Sequence, residues 1–309
     1  MLKYVLKRLL LMIPILLGVI FIVFTIMNFT PGTPGRTILG MSATQEQVDQ
    51  LNHELGYDRP FFERFVRYCG DLLQGDLGSS YRTRQPFVTE LAGRLPTTLR
   101  VGGIAFVISS VLGILLGVLA AAKQYSFIDT FSSVTAILFA SVPAFFLGMV
   151  LIYVFGLTLG WFPTFGLADW KGYVLPVVSL SLATLVSVQR LTRTTMLEAV
   201  RCDFVRTAKA KGCTKGRIIW KHAFKNAVLP VITVLGINAG TVFGGAVVVE
   251  SVYQLPGMGT YILTAIRSKD IPVVMSSTIV LSLFFCLAMI LVDILYAAVD
   301  PRIRERMTR

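Results

Sequence analysis

A protein that catalyses needs side chains able to bind a metal, move a proton or attack an electrophile, and few here are spaced for it. The two histidines, His53 and His222, lie far apart on segments expected on opposite sides of a membrane, so they share no ligand sphere. No nucleophile, base and orienting acid converge in any segment. The phosphate loop Gly-x-x-x-x-Gly-Lys-[Ser/Thr] is absent, so any ATP used must be held by another chain. What stands out is a basic polar stretch between two apolar runs, Asp203-Phe204-Val205-Arg206-Thr207-Ala208-Lys209-Ala210-Lys211-Gly212, followed by His222-Ala223-Phe224-Lys225-Asn226-Ala227-Val228-Leu229-Pro230. Its residue types suit contact with a partner rather than bond chemistry.

Asp203 is suited to N-cap a helix, Val205, Ala208 and Gly212 share one face, and Gly212 suits the left-handed position that ends a helix. Thr214 can cap a second helix carrying Arg217, Ile218, Ile219, His222 and Ala223, with Pro230 in the first turn of the apolar run that follows. Small side chains at Thr207, Ala208 and Ala210 would let the first helix enter a partner's groove. Sorting of positive charge to one side of a membrane explains the bases equally well, but it does not ask for a short capped helix ending in glycine.

The elements around this stretch are membrane spans. Hydrophobic residues make up 54% of the 309 and charged residues 15%, with mean hydropathy +0.71, too apolar for a soluble domain of this size. Runs of about 20 apolar residues predict six transmembrane helices at 9–29, 99–122, 134–158, 173–189, 228–249 and 273–299, an all-α polytopic membrane fold. The first resembles a signal sequence but is longer and leads into Pro31-Gly32-Thr33-Pro34, so it reads as a retained anchor. Lysines and arginines concentrate in the segments holding Lys3, Lys7, Lys123, Arg193, residues 201–225 and Arg302, which places both termini in the cytoplasm. The net charge of +12 is thus a topology signal, and nucleic acid is not expected as a partner. Cys69 then falls outside, Cys202 and Cys213 inside and Cys286 in the last span, so no intramolecular disulfide is expected.

The chain divides on this reading into a tail and first span (1–30), an external helical cap (31–97), a five-helix core (98–299) containing the cytoplasmic loop 190–227, and a cytoplasmic tail (300–309). Apolar spacing at Val48, Leu51 and Leu55, and at Phe61, Phe62, Phe65, Tyr68 and Leu72, predicts two helices in the cap. In the fifth span Gly236, Gly240 and Gly244 recur every fourth residue, and Gly113 and Gly117 do so in the second, which suits close helix packing or a translocation path. Asn238 needs a polar partner, water or the path itself. Asp293 is the one ionisable residue well inside a span, either in a bond near the interface or a proton-coupled site.

The basic stretch resembles the cytoplasmic coupling loop of binding-protein-dependent ABC importer permeases, whose general pattern is Glu-Ala-Ala, three residues, then Gly. Arg206-Thr207-Ala208 and Gly212 occupy the equivalent positions, and the replaced glutamate is similar to the dipeptide/oligopeptide branch of B-type subunits. Gly75-Asp76-Leu77-Gly78-Ser79-Ser80, Leu95-Pro96-Thr97-Thr98-Leu99, Glu250-Ser251-Val252-Tyr253, Pro256-Gly257-Met258-Gly259 and Asp300-Pro301-Arg302 look like further landmarks of that branch. The resemblance implies the type I importer permease architecture in a bacterial inner membrane. It implies four kinds of neighbour: a second homologous permease, two cytosolic ABC ATPases carrying ATP and Mg, an external substrate-binding protein, and the bilayer. Asp203 to Gly212, with Arg217, would contact an ATPase, and Glu250, Pro256, Gly257 and Gly259 would belong to an outer gate. The chain itself would be a transport subunit, not an enzyme, with no cofactor or metal of its own.

Dipeptides or oligopeptides are the substrates the resemblance implies, with nickel complexes, glutathione and opines as alternatives in the same branch. An ion-coupled secondary transporter is the rival of another class. It calls for several intramembrane carboxylates or an inverted repeat, and only Asp293 qualifies.

Overall fold

The computed structural model describes residues 2–299, and among them every regular element is helical, apart from one isolated bridge between Ser79 and Pro86. The tail 300–309, including the Asp300-Pro301-Arg302 landmark, lies outside the described residues. Helices α1 (Leu2–Phe29), α2 (Pro34–Leu39), α3 (Gln45–Glu54), α4 (Phe61–Leu73), α5 (Phe87–Ala122), α6 (Phe127–Ala140) and α7 (Ala144–Thr158) are followed by α8 (Lys171–Arg201) and α9 (Asp203–Ala210). The remaining three are α10 (Lys215–Val252), α11 (Met258–Arg267) and α12 (Ile271–Val299).

Five of these are single helices long and apolar enough to cross a bilayer, and a sixth span requires α6 and α7 together. The sequence predicts one straight helix at 134–158, but the two pieces meet at 101°. The cause is local: Pro143 disfavours helical geometry at the residue before it and gives α7 its start, while Ser141 ends α6. The fourth span is longer than the predicted 173–189, because Pro176 lies near the helix N-terminus and is tolerated there. Pro230, predicted in the first turn of a helix, lies inside α10 instead, which runs unbroken from the basic stretch into the fifth span.

The chain separates into two compact units. Among the described residues, one comprises 2–6, 99–255 and 287–299, the other 7–98 and 256–286.

In the second unit Ile20, Phe24 and Met27 of α1 pack with Phe87, Tyr261, Ile271 and Met275, and α4 lays Phe61, Phe65, Tyr68 and Leu72 on the same core. Phe62, expected on that face, is 71% exposed, one position off the apolar stripe. α3 begins with a reciprocal cap in which Thr44 and Gln47 satisfy each other's backbone amides. Two buried neighbours hold the loops together. Lys269, in the left-handed region at φ 51°, donates from Nζ to the carbonyls of Thr30 and Gly32. Asp270 accepts from Ser80 Oγ (2.5 Å), Tyr81 N (2.9 Å) and Arg82 N (3.3 Å).

In the first unit α8 and α10 form the most extensive helix pair. Glycine lets α5 approach α8: a Cβ on Gly117 would lie 2.6 Å from Thr192 Cβ and 2.7 Å from the Gln189 carbonyl, and one on Gly113 would lie 2.9 Å from the Leu185 carbonyl. These two glycines therefore serve packing, as their spacing allows.

Candidate functional site

The basic stretch folds as a two-faced helix. Val205 and Ala208, three residues apart on α9, are buried with Ile218 at the start of α10 in one small apolar cluster, with Cys213 packed against it. Phe204, Arg206, Thr207, Lys209 and Ala210 of α9, and Lys211 just after it, remain exposed. Ala208, expected among the small residues entering a partner's groove, instead faces inward, because the i, i+3 relation to Val205 puts both on the face that meets Ile218.

The N-cap position belongs to Cys202, not Asp203, and no side chain caps it. Asp203 stands in the first turn, where its charge favours the helix dipole. It approaches Arg206 at 3.5 Å with both side chains at least 80% exposed, a contact that contributes little to stability. At the other end Gly212 takes φ +76°, and the amides of Gly212 and Cys213 return to the carbonyls of Lys209 and Ala208. Thr214 then opens α10, whose backbone widens to a π-helical turn over Ile218–Ala223 before resuming α-helical geometry at Phe224. Arg217 is exposed at this start.

Behind α9 the apolar contacts continue. Met196 and Ala199 near the end of α8 are buried with Ala223 and Ala227 of α10 and Val118 and Ala121 of α5. α9 is thus wedged onto the start of α10, and α10 onto α8 and α5. One turn earlier Arg193 of α8 grips Asp129 of α6 in a two-pronged ion pair, Nε to Oδ1 at 2.5 Å and Nη2 to Oδ2 at 2.8 Å. Asp129 also accepts from the Tyr125 amide and is 3% exposed. In the sequence both charges count only toward topology. A lone acid amid bases, 64 residues from its partner, gives no local periodic signal.

The other expected site residues fall in separate places. Gly236 admits Val292 and Met289 of α12, with Val292 3.0 Å from a Cβ built there, whereas Gly244 faces open space. The close-packed face therefore does not extend along the whole predicted stripe, and Gly245 meets Leu180 instead. Gly240 is half-buried. Asn238 is buried and its Nδ2 has no hydrogen-bond partner among the described residues. Asp293 and Glu250 are buried at 7% and 0% exposure. Pro256 and Gly257 lead into α11, where Gly257 is the N-cap, Gly259 is buried, and Thr98 Oγ1 accepts from the Met258 amide at 2.8 Å. Beyond the expected set, Tyr253 donates to the Gly148 carbonyl at 3.2 Å and lies 2.9 Å from Ser179 Oγ, tying α7, α8 and the end of α10.

Comparison with known proteins decides what this helical arrangement belongs to. The family described as "Binding-protein-dependent transport system inner membrane component" matches residues 113–305, and its N-terminal companion matches residues 1–102. The chain belongs to this family of ABC importer permeases. The dipeptide transport system permease protein DppB of Alkalihalophilus pseudofirmus is 36% identical over 98% of this chain and its own full length. The glutathione transport system permease protein GsiC of Escherichia coli K12 is 38% identical over 99% of this chain and its own full length. Among solved structures, an amino acid ABC transporter with histidines superposes with TM-score 0.55 at 14% identity, covering 69% of this chain and 95% of that one. The MetNI methionine ABC transporter in inward-facing conformations gives TM-score 0.51 at 20% identity, covering 69% and 96%. These two share the fold. As a permease of this family the chain is a multi-pass membrane transport component, and the ion-coupled reading falls away.

Proposed function

We propose that this permease is one of two transmembrane subunits of an ATP-driven importer for short peptides, and that α9 is its contact with a cytosolic ATPase. The observation that carries the contact is the division of α9: its apolar face is locked to α10 by Val205, Ala208 and Ile218, while a basic rim of Arg206, Lys209 and Lys211 is left exposed. ATP and Mg would be held by the ATPases. Their closure would push α9, and because α9 is wedged onto α10 the push would reach the fifth span as a rigid-body tilt between two access states. The charge of the rim favours a cytoplasmic side for α9 and the termini, with residues 31–97 outside.

Peptide chemistry is favoured because relatives that match over their full length are described as dipeptide and glutathione permeases, and glutathione is itself a small peptide. Asn238, buried with an unused amide nitrogen, is a candidate to line the path or meet the second permease. Glu250 and the Pro256-Gly257 entry to α11 are the candidate outer gate.

Reconstitution tests the reading: the permease pair, the ATPases and the binding protein are placed in liposomes and uptake of a labelled dipeptide is followed, with glutathione as competitor. Uptake should require both ATP and binding protein. Uptake driven by an ion gradient without ATP would overturn it.

A further inference from the structure

Within the unit formed by residues 7–98 and 256–286, a cleft of about 460 Å³ is lined by Thr37, Ile38, Arg82, Thr264, Arg267 and Ser268. Two guanidinium groups line it and no carboxylate does. Neither Arg82 nor Arg267 has an ion-pair partner among the described residues. The hydroxyls of Thr37, Thr264 and Ser268 donate to carbonyls of their own helices, at Thr33, Thr260 and Thr264. The cleft's free hydrogen-bond donors are therefore the two arginines.

Both arginines sit on a braced backbone. The Arg82 amide donates to Asp270 Oδ2 and to Ser80 Oγ, and Asp270 also holds the Tyr81 amide. Arg267 closes α11 two residues before Lys269, whose Nζ ties the same turn to the chain leaving α1 at Thr30 and Gly32. The buried pair Lys269 and Asp270 thus anchors both backbones, so less conformational freedom is lost when the arginines are engaged.

We infer that this cleft is the grip for the substrate-binding protein, taking one or two carboxylate side chains from a loop on that protein's surface. The assignment rests on the importer reading above. Two planar forks without a competing acid suit carboxylate recognition. At about 460 Å³ the cleft is larger than a single bound ion needs. The walls are α2, the 80–86 loop and the end of α11, none of which is among the helices able to span a bilayer.

The test uses the assembled transporter in nanodiscs, with ATPase stimulation measured against binding-protein concentration for wild type, R82E/R267E and R82K/R267K. Charge reversal should raise the half-saturating concentration at least about tenfold with the maximal stimulated rate and the melting temperature of the complex kept, and the lysine pair should fall between. Wild-type half-saturation should also rise steeply with salt, and less so in the reversed variant. The shift should appear in phosphatidylcholine discs as well as in discs containing phosphatidylglycerol. A half-saturating concentration within about twofold of wild type would overturn the grip, and a shift confined to anionic discs would assign the cleft to a lipid headgroup instead. A wild-type complex that no binding protein stimulates would sink the importer reading, and this site with it.

Discussion

Val205 of α9 and Ile218 at the start of α10 are buried in one cluster across a turn whose hinge is Gly212 at φ +76°. The short basic helix is therefore fixed to the fifth span by side-chain packing as well as by the chain. A force on the exposed face of α9 has a direct route into the membrane helices.

The turn is tested by substituting its glycine. A side chain at Gly212 meets no atom within 4 Å, so the penalty is the left-handed backbone alone, about 1–2 kcal/mol for a residue with a Cβ. Gly212→Val should uncouple ATP hydrolysis from transport while the complex still assembles. Gly212→Asn, which tolerates this conformation, should keep most coupling. The ratio of substrate transported to ATP hydrolysed reads both, and equal ratios for the two variants would contradict the hinge.

Breaking the Asp129–Arg193 pair should be costly. Asp129 is almost fully buried while Arg193 is 27% exposed, so Arg193→Met leaves a carboxylate short of its counter-charge and should destabilise by about 1–3 kcal/mol, below the range of fully buried pairs. The double variant Asp129→Asn with Arg193→Met should recover much of it. Thermal melting of the purified permease, compared across the double-mutant cycle, measures the coupling.

Close packing of α5 on α8 gives a paired prediction. Gly117→Ala would drive a Cβ into the Gln189 carbonyl and Thr192, backbone and branched carbon that cannot step aside, and should cost about 1–3 kcal/mol. Gly244→Ala points into open space inside a helix, where alanine is favoured over glycine by about 0.5–1 kcal/mol, and should leave stability unchanged or raise it. Melting temperatures of the two variants separate them.

Lys269 makes a pH prediction. Desolvation by burial holds its ammonium below the ordinary lysine value of 10.5. As pH rises from that lowered value to 10.5 the unfolded chain binds more protons than the folded one, so folding gains stability across that window. The melting temperature of wild type should rise there relative to Lys269→Met, which lacks the group. Parallel curves would contradict it.

Much of this fold is written in hydrophobic length. Runs such as 9–29 and 99–122 are legible because about 20 apolar residues admit few alternatives, and the end of the short helix is legible from Gly212, whereas its start is misread by one residue because the N-cap is Cys202 rather than Asp203. The break before Pro143 is hidden because its flanks are apolar on both sides, so the run looks continuous by composition while backbone geometry breaks it. Which face of α9 turns inward is only half readable: Val205 and Ala208 mark a stripe, but only the position of Ile218 shows that the stripe is spent within the chain. Pairs such as Asp129 with Arg193, or Asp270 with Ser80, join segments distant in sequence and leave no trace in spacing.

The contact of α9 with an ATPase is tested most directly by cross-linking. With Cys202 replaced by serine to remove the exposed native thiol nearby, Ala210→Cys on the exposed face of α9 is treated with a short bifunctional reagent in the assembled transporter. A cross-link to an ATPase subunit, with yield that changes on adding ATP, is the expected result. Free labelling of the introduced thiol by a membrane-impermeant reagent in the intact complex, with no cross-link under any nucleotide condition, would contradict it.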